Sequence, residues 1–168
     1  MRVAVTGTPG TGKTTATDAV DTDLTVVHLN EIIRDEGLST GRDEDRDSLV
    51  ADMDALREWL ADRDAILFES HLAHHFDADR VVVLRCAPTV LEDRLRERGK
   101  SGASVRENAE SEALDVILTE AVERHGTDRV YEIETTDRSP ESVAAAIEAV
   151  IAGEREPSAG TVSYLDYL

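Results

Sequence analysis

At 168 residues the chain is sized for one domain around one core, and a domain of this length removes roughly 70% of its unfolded surface from water. Its 36 acidic residues against 18 basic give a net charge of −18, which argues against non-specific binding to the phosphates of naked nucleic acid. No stretch reaches the ~20 apolar residues of a membrane-spanning helix.

The acidic residues are spread along the chain, and only Lys13 and Lys100 interrupt the use of arginine as the basic side chain. Two readings follow. One is a cytoplasm at high salt, where a screening length of ~3 Å at 1 M suppresses self-repulsion. The other is a basic partner. The even spread favours the first. The lone Cys86 reads as a small buried hydrophobe in a reducing cytoplasm. The N-terminus is expected to enter the fold directly as a strand, not as a signal peptide.

Residues 2–6 form a short apolar strand. Gly7-Thr8-Pro9-Gly10-Thr11-Gly12-Lys13-Thr14 follows, matching G-x-x-x-x-G-K-[ST] at every fixed position. Glycines let the backbone turn with its amides inward, Lys13 sets a compact cation against the β- and γ-phosphates, and the Thr14 hydroxyl can ligate Mg²⁺. A helix over 13–20 would point its positive end at the same anion. The pattern therefore predicts nucleoside triphosphate binding.

Beyond it, apolar runs alternate with helical segments, the mark of a parallel α/β sheet. A second strand is expected over 25–29, with Asn30 capping a short helix through Ile32, Ile33 and Arg34 that Gly37 stops. Residues 37–47 are polar and aperiodic and read as a loop. Residues 48–62 read as an amphipathic helix, with Leu49, Met53, Leu56 and Leu60 inward. The third strand, 65–68, runs into Glu69-Ser70-His71. The fourth, 80–85, is apolar on both faces, as a central parallel strand should be. Pro88 opens a helix that Gly99 ends, with Arg94, Arg96 and Arg98 on its outer face. A short loop, 100–103, precedes one long helix over 104–124. A fifth strand over 130–133 and a helix from Ser139 to about residue 152 complete the fold. The tail opens polar and flexible and closes with Tyr164, Leu165, Tyr167 and Leu168.

The expected architecture is a P-loop three-layer α/β sandwich on a five-stranded parallel sheet, its ligands at the carboxyl ends of the strands. No guanine-reading N-K-x-D segment is present. Two polar inserts, after the second strand and after the fourth crossover helix, suit the mobile lids of a small kinase.

The chain resembles the adenylate kinase isoenzyme 6 family of small archaeal and eukaryotic nucleoside monophosphate kinases, also described as ribosome-maturation ATPases. The likeness is carried by GTPGTGKTT at 7–15, Arg34 before an acidic loop, Glu69-Ser70-His71, and 82–99 with its R-L-x-x-R-G stretch, with Asn108 and Glu112 beyond. It implies a kinase domain over 1–153, a monophosphate-binding insert at 28–50, a lid at 98–108 and a tail at 154–168. It also implies reversible phosphate transfer from ATP to a monophosphate with Mg²⁺, a slow ATPase, and transient contact with a small-subunit ribosomal protein. By position in the motifs, Gly10, Gly12, Lys13, Thr14, Thr15 and Arg98 would hold ATP. Arg34 would face the acceptor phosphate, Thr14 and Glu69 would organise the metal, and His71 would orient an attacking water. Glu69 stands where many members have aspartate.

Several of these residues admit plainer readings. Arg34 has the spacing of a surface pair with Glu31, and His71 could simply begin a helix. Arg94 and Arg96 could be a solvated face. His71, His74 and His75, with no cysteine near and no complete ligand set, do not read as a zinc site. The competing function is a ribosome-assembly ATPase whose kinase activity is incidental.

Overall fold

A computed structural model describes residues 1–45 and 48–168. Five strands form one parallel sheet in the order β2-β5-β1-β6-β7: β1 (Arg2–Gly7), β2 (Thr25–His28), β5 (Ile66–Glu69), β6 (Arg80–Arg85) and β7 (Val130–Glu134). The expected three-layer α/β sandwich is therefore the observed one.

Side chains alternate across the sheet with period two. Ala4, Phe68, Val81 and Val83 face one layer, which is filled by Leu29 and Ile33 of α2 (Leu29–Asp35), Leu56 and Leu60 of α3 (Met53–Ala61), and Ile117, Leu118 and Ala121 of α6 (Val116–His125). Val3, Val5, Leu67, Val82 and Leu84 face the other, against Ala16 of α1 (Lys13–Asp18) and Val143, Ile147 and Val150 of α7 (Pro140–Ala152). A third, smaller cluster joins Cys86 to Leu91 and Leu95 of α4 (Pro88–Glu97) and Val105 of α5 (Gly102–Ala113).

The structure redraws four segments. First, residues 37–47 are not simply a loop: β3 (Ser39–Asp43) pairs antiparallel with β4 (Ser48–Ala51), while Arg46 and Asp47 lie outside the described residues. The helix expected from residue 48 starts later, because the Asp52 carboxylate accepts the Ala55 amide at 3.1 Å and caps α3 there. Leu49 therefore leaves the core and is 41% exposed. Second, β2 ends at His28, which takes the cap position of α2 in place of Asn30.

Third, the long helix over 104–124 is two helices. Asp115 between them takes a left-handed conformation (φ 55°) that aspartate tolerates. Its carboxylate is drawn to the Arg85 guanidinium at 2.5 Å, and that pairing ends α5. Fourth, the tail is docked. Ser158 donates its amide to the Val130 carbonyl at 3.0 Å, the Thr161 amide donates to Glu132 Oε1 at 2.8 Å, and the Tyr167 hydroxyl donates to Glu92.

Candidate active site

The site lies at the carboxyl ends of β1, β2 and β5, where an open parallel sheet exposes its crevice. After β1 the chain turns through Gly7, whose φ is +152°; a Cβ there would stand 2.8 Å from the Leu84 carbonyl oxygen and from Thr11 Oγ1. Gly10 (φ +94°) rests on α4, with no more than 3.0–3.2 Å between a notional Cβ and the Leu91 and Leu95 side chains. The loop's course thus depends on glycine in two places, once against the sheet and once against α4.

Lys13 folds back over this loop and donates to the carbonyls of Gly7 (2.9 Å) and Thr8 (3.2 Å). Burial lowers its amine pKa to about 8, opposed by the nearby Glu69 carboxylate. Thr14 Oγ1 donates to Glu69 Oε1 at 3.0 Å. Sheet register explains the position of Glu69: it pairs with Val5 on one side and His28 on the other. His28 Nδ1 lies 2.7 Å from the same Glu69 oxygen, and its Nε2 lies 2.8 Å from Asp18. Burial works against protonation of His28, but its bonds to Glu69 and Asp18 outweigh it and raise the pKa. His71 has its pKa lowered to about 4 by burial, with Lys13 adding to the effect; it is a neutral imidazole.

Three cavities meet here. A phosphate-sized one is lined by Gly10, Gly12, Lys13, Thr14, Glu69 and His71. On one side of the loop, about 210 Å³ is enclosed by Thr15, Arg94, Thr135, Arg138, Pro140 and Val143. On the other, a cleft of about 580 Å³ runs past Asn30, His71, His75, Lys100 and Asn108. Arg98, at the end of α4, lines all three.

The structure thus gathers Gly10, Gly12, Lys13, Thr14, Thr15, Glu69, His71 and Arg98. It does not bring Arg34 into the cleft. Arg34 points to solvent, its Nε 3.2 Å from Asp35, one helical turn beyond Asn30. Sequence reasoning left Arg94 on a solvated face, whereas it reaches inward to the Gly10 carbonyl at 3.2 Å and the Thr135 carbonyl at 3.4 Å. His28 was missed entirely. Its place at the end of a strand, at the edge where ligands bind, was the signal available.

Behind the loop lies a buried charge network. Arg85, fully buried, meets Glu132 at 2.7 Å, Glu112 at 3.3 Å and Asp115. Glu112 also accepts the Thr8 hydroxyl at 3.1 Å and the Cys86 amide at 2.8 Å. Burial raises the Glu112 pKa against the pull of Arg85. Through Glu112 the loop, the end of β6 and α5 share one carboxylate.

Residues 3–115 match the AAA domain family. Over the full length of both chains, the sequence is 66% identical to a protein of Natronomonas pharaonis and 62% identical to one of Halobacterium salinarum, each named "Putative adenylate kinase". The chain belongs to that archaeal family. A member from Methanothermobacter thermautotrophicus is 41% identical, covering 99% of this chain and 98% of its own. Among solved structures, shikimate kinase from Bacteroides thetaiotaomicron superposes with a TM-score of 0.63 at 19% identity, covering 90% of this chain and 98% of that one. A sugar kinase from Janibacter sp. reaches 0.57 at 16% identity, covering 90% and 94%. These two likenesses are of fold: the same P-loop α/β/α sandwich.

Proposed function

We propose that the protein is a nucleoside monophosphate kinase of adenylate type, transferring the terminal phosphate of ATP reversibly to a monophosphate. The observation that carries this reading is the pair of cavities flanking one phosphate site, with Arg98 common to all three. A hydrolase needs room for water beside the γ-phosphate; a kinase needs a second substrate cleft, and this one measures about 580 Å³.

The cavity beside Arg94, Arg138 and Pro140 takes the donor nucleoside, and the loop amides with Lys13 take the phosphates. Thr14 Oγ1 and Glu69 Oε1, 3.0 Å apart at the edge of the phosphate cavity, are hard oxygen donors that fit Mg²⁺. When bound, Mg²⁺ neutralises charge on the phosphate oxygens. His28 holds Glu69 in place. Arg98 closes over the transferring group, and neutral His71 stands between donor and acceptor, where it can orient an acceptor oxygen or a water. Arg34 meets the acceptor phosphate once the 28–50 segment folds over the cleft, and the 98–108 segment acts as lid. Phosphoryl transfer asks mainly for position and charge neutralisation, and these residues supply both.

The test is ADP formation from ATP and Mg²⁺ at high salt, with and without each monophosphate. A rise of about tenfold or more with one of them is the expected outcome and names the acceptor. A slow rate that no monophosphate moves would overturn it. That result would favour the second reading, an ATPase acting in small-subunit ribosome assembly. Its support is the sequence resemblance, the net charge of −18 and exposed Leu165 and Leu168 on the docked tail. A nucleotide-dependent pull-down with small-subunit ribosomal protein tests it. The acidic composition and the halophile relatives support a high-salt cytoplasm as the setting.

A further inference from the structure

The short turn 73–75 brings His75 into the lining of the larger cleft. Among the described residues, His74, His75 and Glu120 form the one group of three whose metal-binding atoms all lie within 4.8 Å of one another. The sequence offered His71, His74 and His75 as an incomplete set; the fold groups the last two and supplies a third ligand, Glu120, from α6. Glu120 Oε2 stands 2.7 Å from His74 Nε2 and 3.7 Å from His75 Nε2. Tetrahedral coordination at the ~2.0–2.1 Å of Zn–N and Zn–O bonds spaces its ligand atoms by about 3.3 Å, and the two observed separations straddle that value.

The support around this group is that of a held ligand set. His74 is buried, and its Nδ1 lies 2.8 Å from the Thr6 hydroxyl on β1. A second bond on the far nitrogen fixes the ring and leaves Nε2 directed at the carboxylate. His125 Nε2, 2.8 Å from the His74 carbonyl oxygen, braces the turn from behind. His75 and Glu120 both line the cleft, so the remaining coordination position opens onto it.

We propose that His74, His75 and Glu120 form a binding site for a borderline divalent transition-metal ion, Zn²⁺ in the first instance, separate from the phosphate-site Mg²⁺. Two imidazoles and a carboxylate select such ions over Mg²⁺, which prefers oxygen ligands alone. Binding needs a change of tautomer at His74 and an opening of its 2.7 Å contact with Glu120 to about 3.3 Å. The proton moves from Nε2 to Nδ1, the Thr6 hydroxyl turns from donor to acceptor, and Nε2 is freed for the metal. Thr6 is the last residue before the phosphate loop, so the site touches both the acceptor cleft and the base of that loop.

The experiment is competition for Zn²⁺ between the chelator-stripped full chain and a chromophoric chelator, at 1 M KCl to screen diffuse binding by surface carboxylates. The expected result is one Zn²⁺ per chain at micromolar affinity or tighter. His75→Ala and Glu120→Gln should each weaken it at least tenfold, and Glu69→Gln should leave it unchanged. Both altered side chains are partly exposed and at the rim, and circular dichroism checks that each variant folds. Cobalt substitution should give the visible absorption of a four-coordinate site in the parent and lose it in both variants. Absence of saturable binding below ~100 µM would overturn the proposal and leave His74–Glu120 a structural hydrogen bond. Binding that either variant leaves intact would overturn it equally.

Discussion

Arg94 Nη1 donates to the Gly10 carbonyl oxygen at 3.2 Å, joining α4 to the phosphate loop across 84 positions of sequence. Its second terminal nitrogen reaches the Thr135 carbonyl, so one guanidinium ties together two walls of the cavity of about 210 Å³ beside the loop.

Arg94→Ala should therefore lower kcat/KM for ATP by ~10²-fold, most of it through KM, since both the loop position and a cation at the nucleoside are lost. Arg94→Lys should recover only part, because an ammonium cannot bridge two carbonyls with a planar fork. Steady-state kinetics on both variants measures the difference. Equal activity of Arg94→Ala and the parent would return this residue to the surface.

Lys13→Met should reduce phosphotransfer by ~10³-fold or more. Folding should be retained, because the side chain trades a buried amine whose pKa burial has lowered to about 8 for an apolar chain of similar length. Thermal melting beside a turnover assay checks both parts. A variant that keeps its rate excludes the mechanism.

Arg85→Met should destabilise the fold by about 3–5 kcal/mol, because it leaves the buried carboxylates of Glu112 and Glu132 without their cation. Chemical denaturation at fixed KCl gives the value. Since Glu112 also holds the Thr8 hydroxyl, a milder change, Glu112→Gln, should weaken ATP binding more than it lowers the melting temperature.

The latch between the tail and α4 should respond to pH at both ends of the scale. The bond donated by the Tyr167 hydroxyl lowers the Glu92 pKa, and the same bond raises that of Tyr167. The carboxylate's contribution is present above the ordinary glutamate range and is lost as pH falls through the lowered value. The phenol's contribution is present below about 10 and is lost as pH rises through the raised one. The tail should thus stay docked from about pH 5 to pH 10 and loosen outside that window. Ring resonances of Tyr167 followed by NMR would report this, and Tyr167→Phe should abolish the alkaline limb.

Much of the fold was legible because its signals are local. The loop motif needs only eight consecutive residues, and a strand such as β6 announces itself by the apolar run of residues 81–84. Leu49 misled because its spacing to Met53 and Leu56 fits a helix, while the capping carboxylate of Asp52 had already fixed the start four residues later. The break at Asp115 was invisible, since the partner that draws it is Arg85, thirty positions away at the end of β6. Arg94 and Arg96 stand two apart on one helix, and only tertiary packing sends Arg94 inward to Gly10 while Arg96 pairs with Glu92 at the surface. His28 needed the sheet order, which sets its strand beside the one ending in Glu69.

The central place of β1 has a consequence for how the chain is made. Its neighbours are both distant: Arg2 stands opposite Ile66, and Val3 opposite Arg80. β1 thus waits for partners more than sixty positions further along the chain, and the phosphate loop that follows it has its full sheet support only once β5 and β6 have been made. Contacts so far apart in sequence slow folding. During that interval an apolar strand waits exposed, and folding of this protein should depend on translation reaching β6 before a stray strand edge reaches β1.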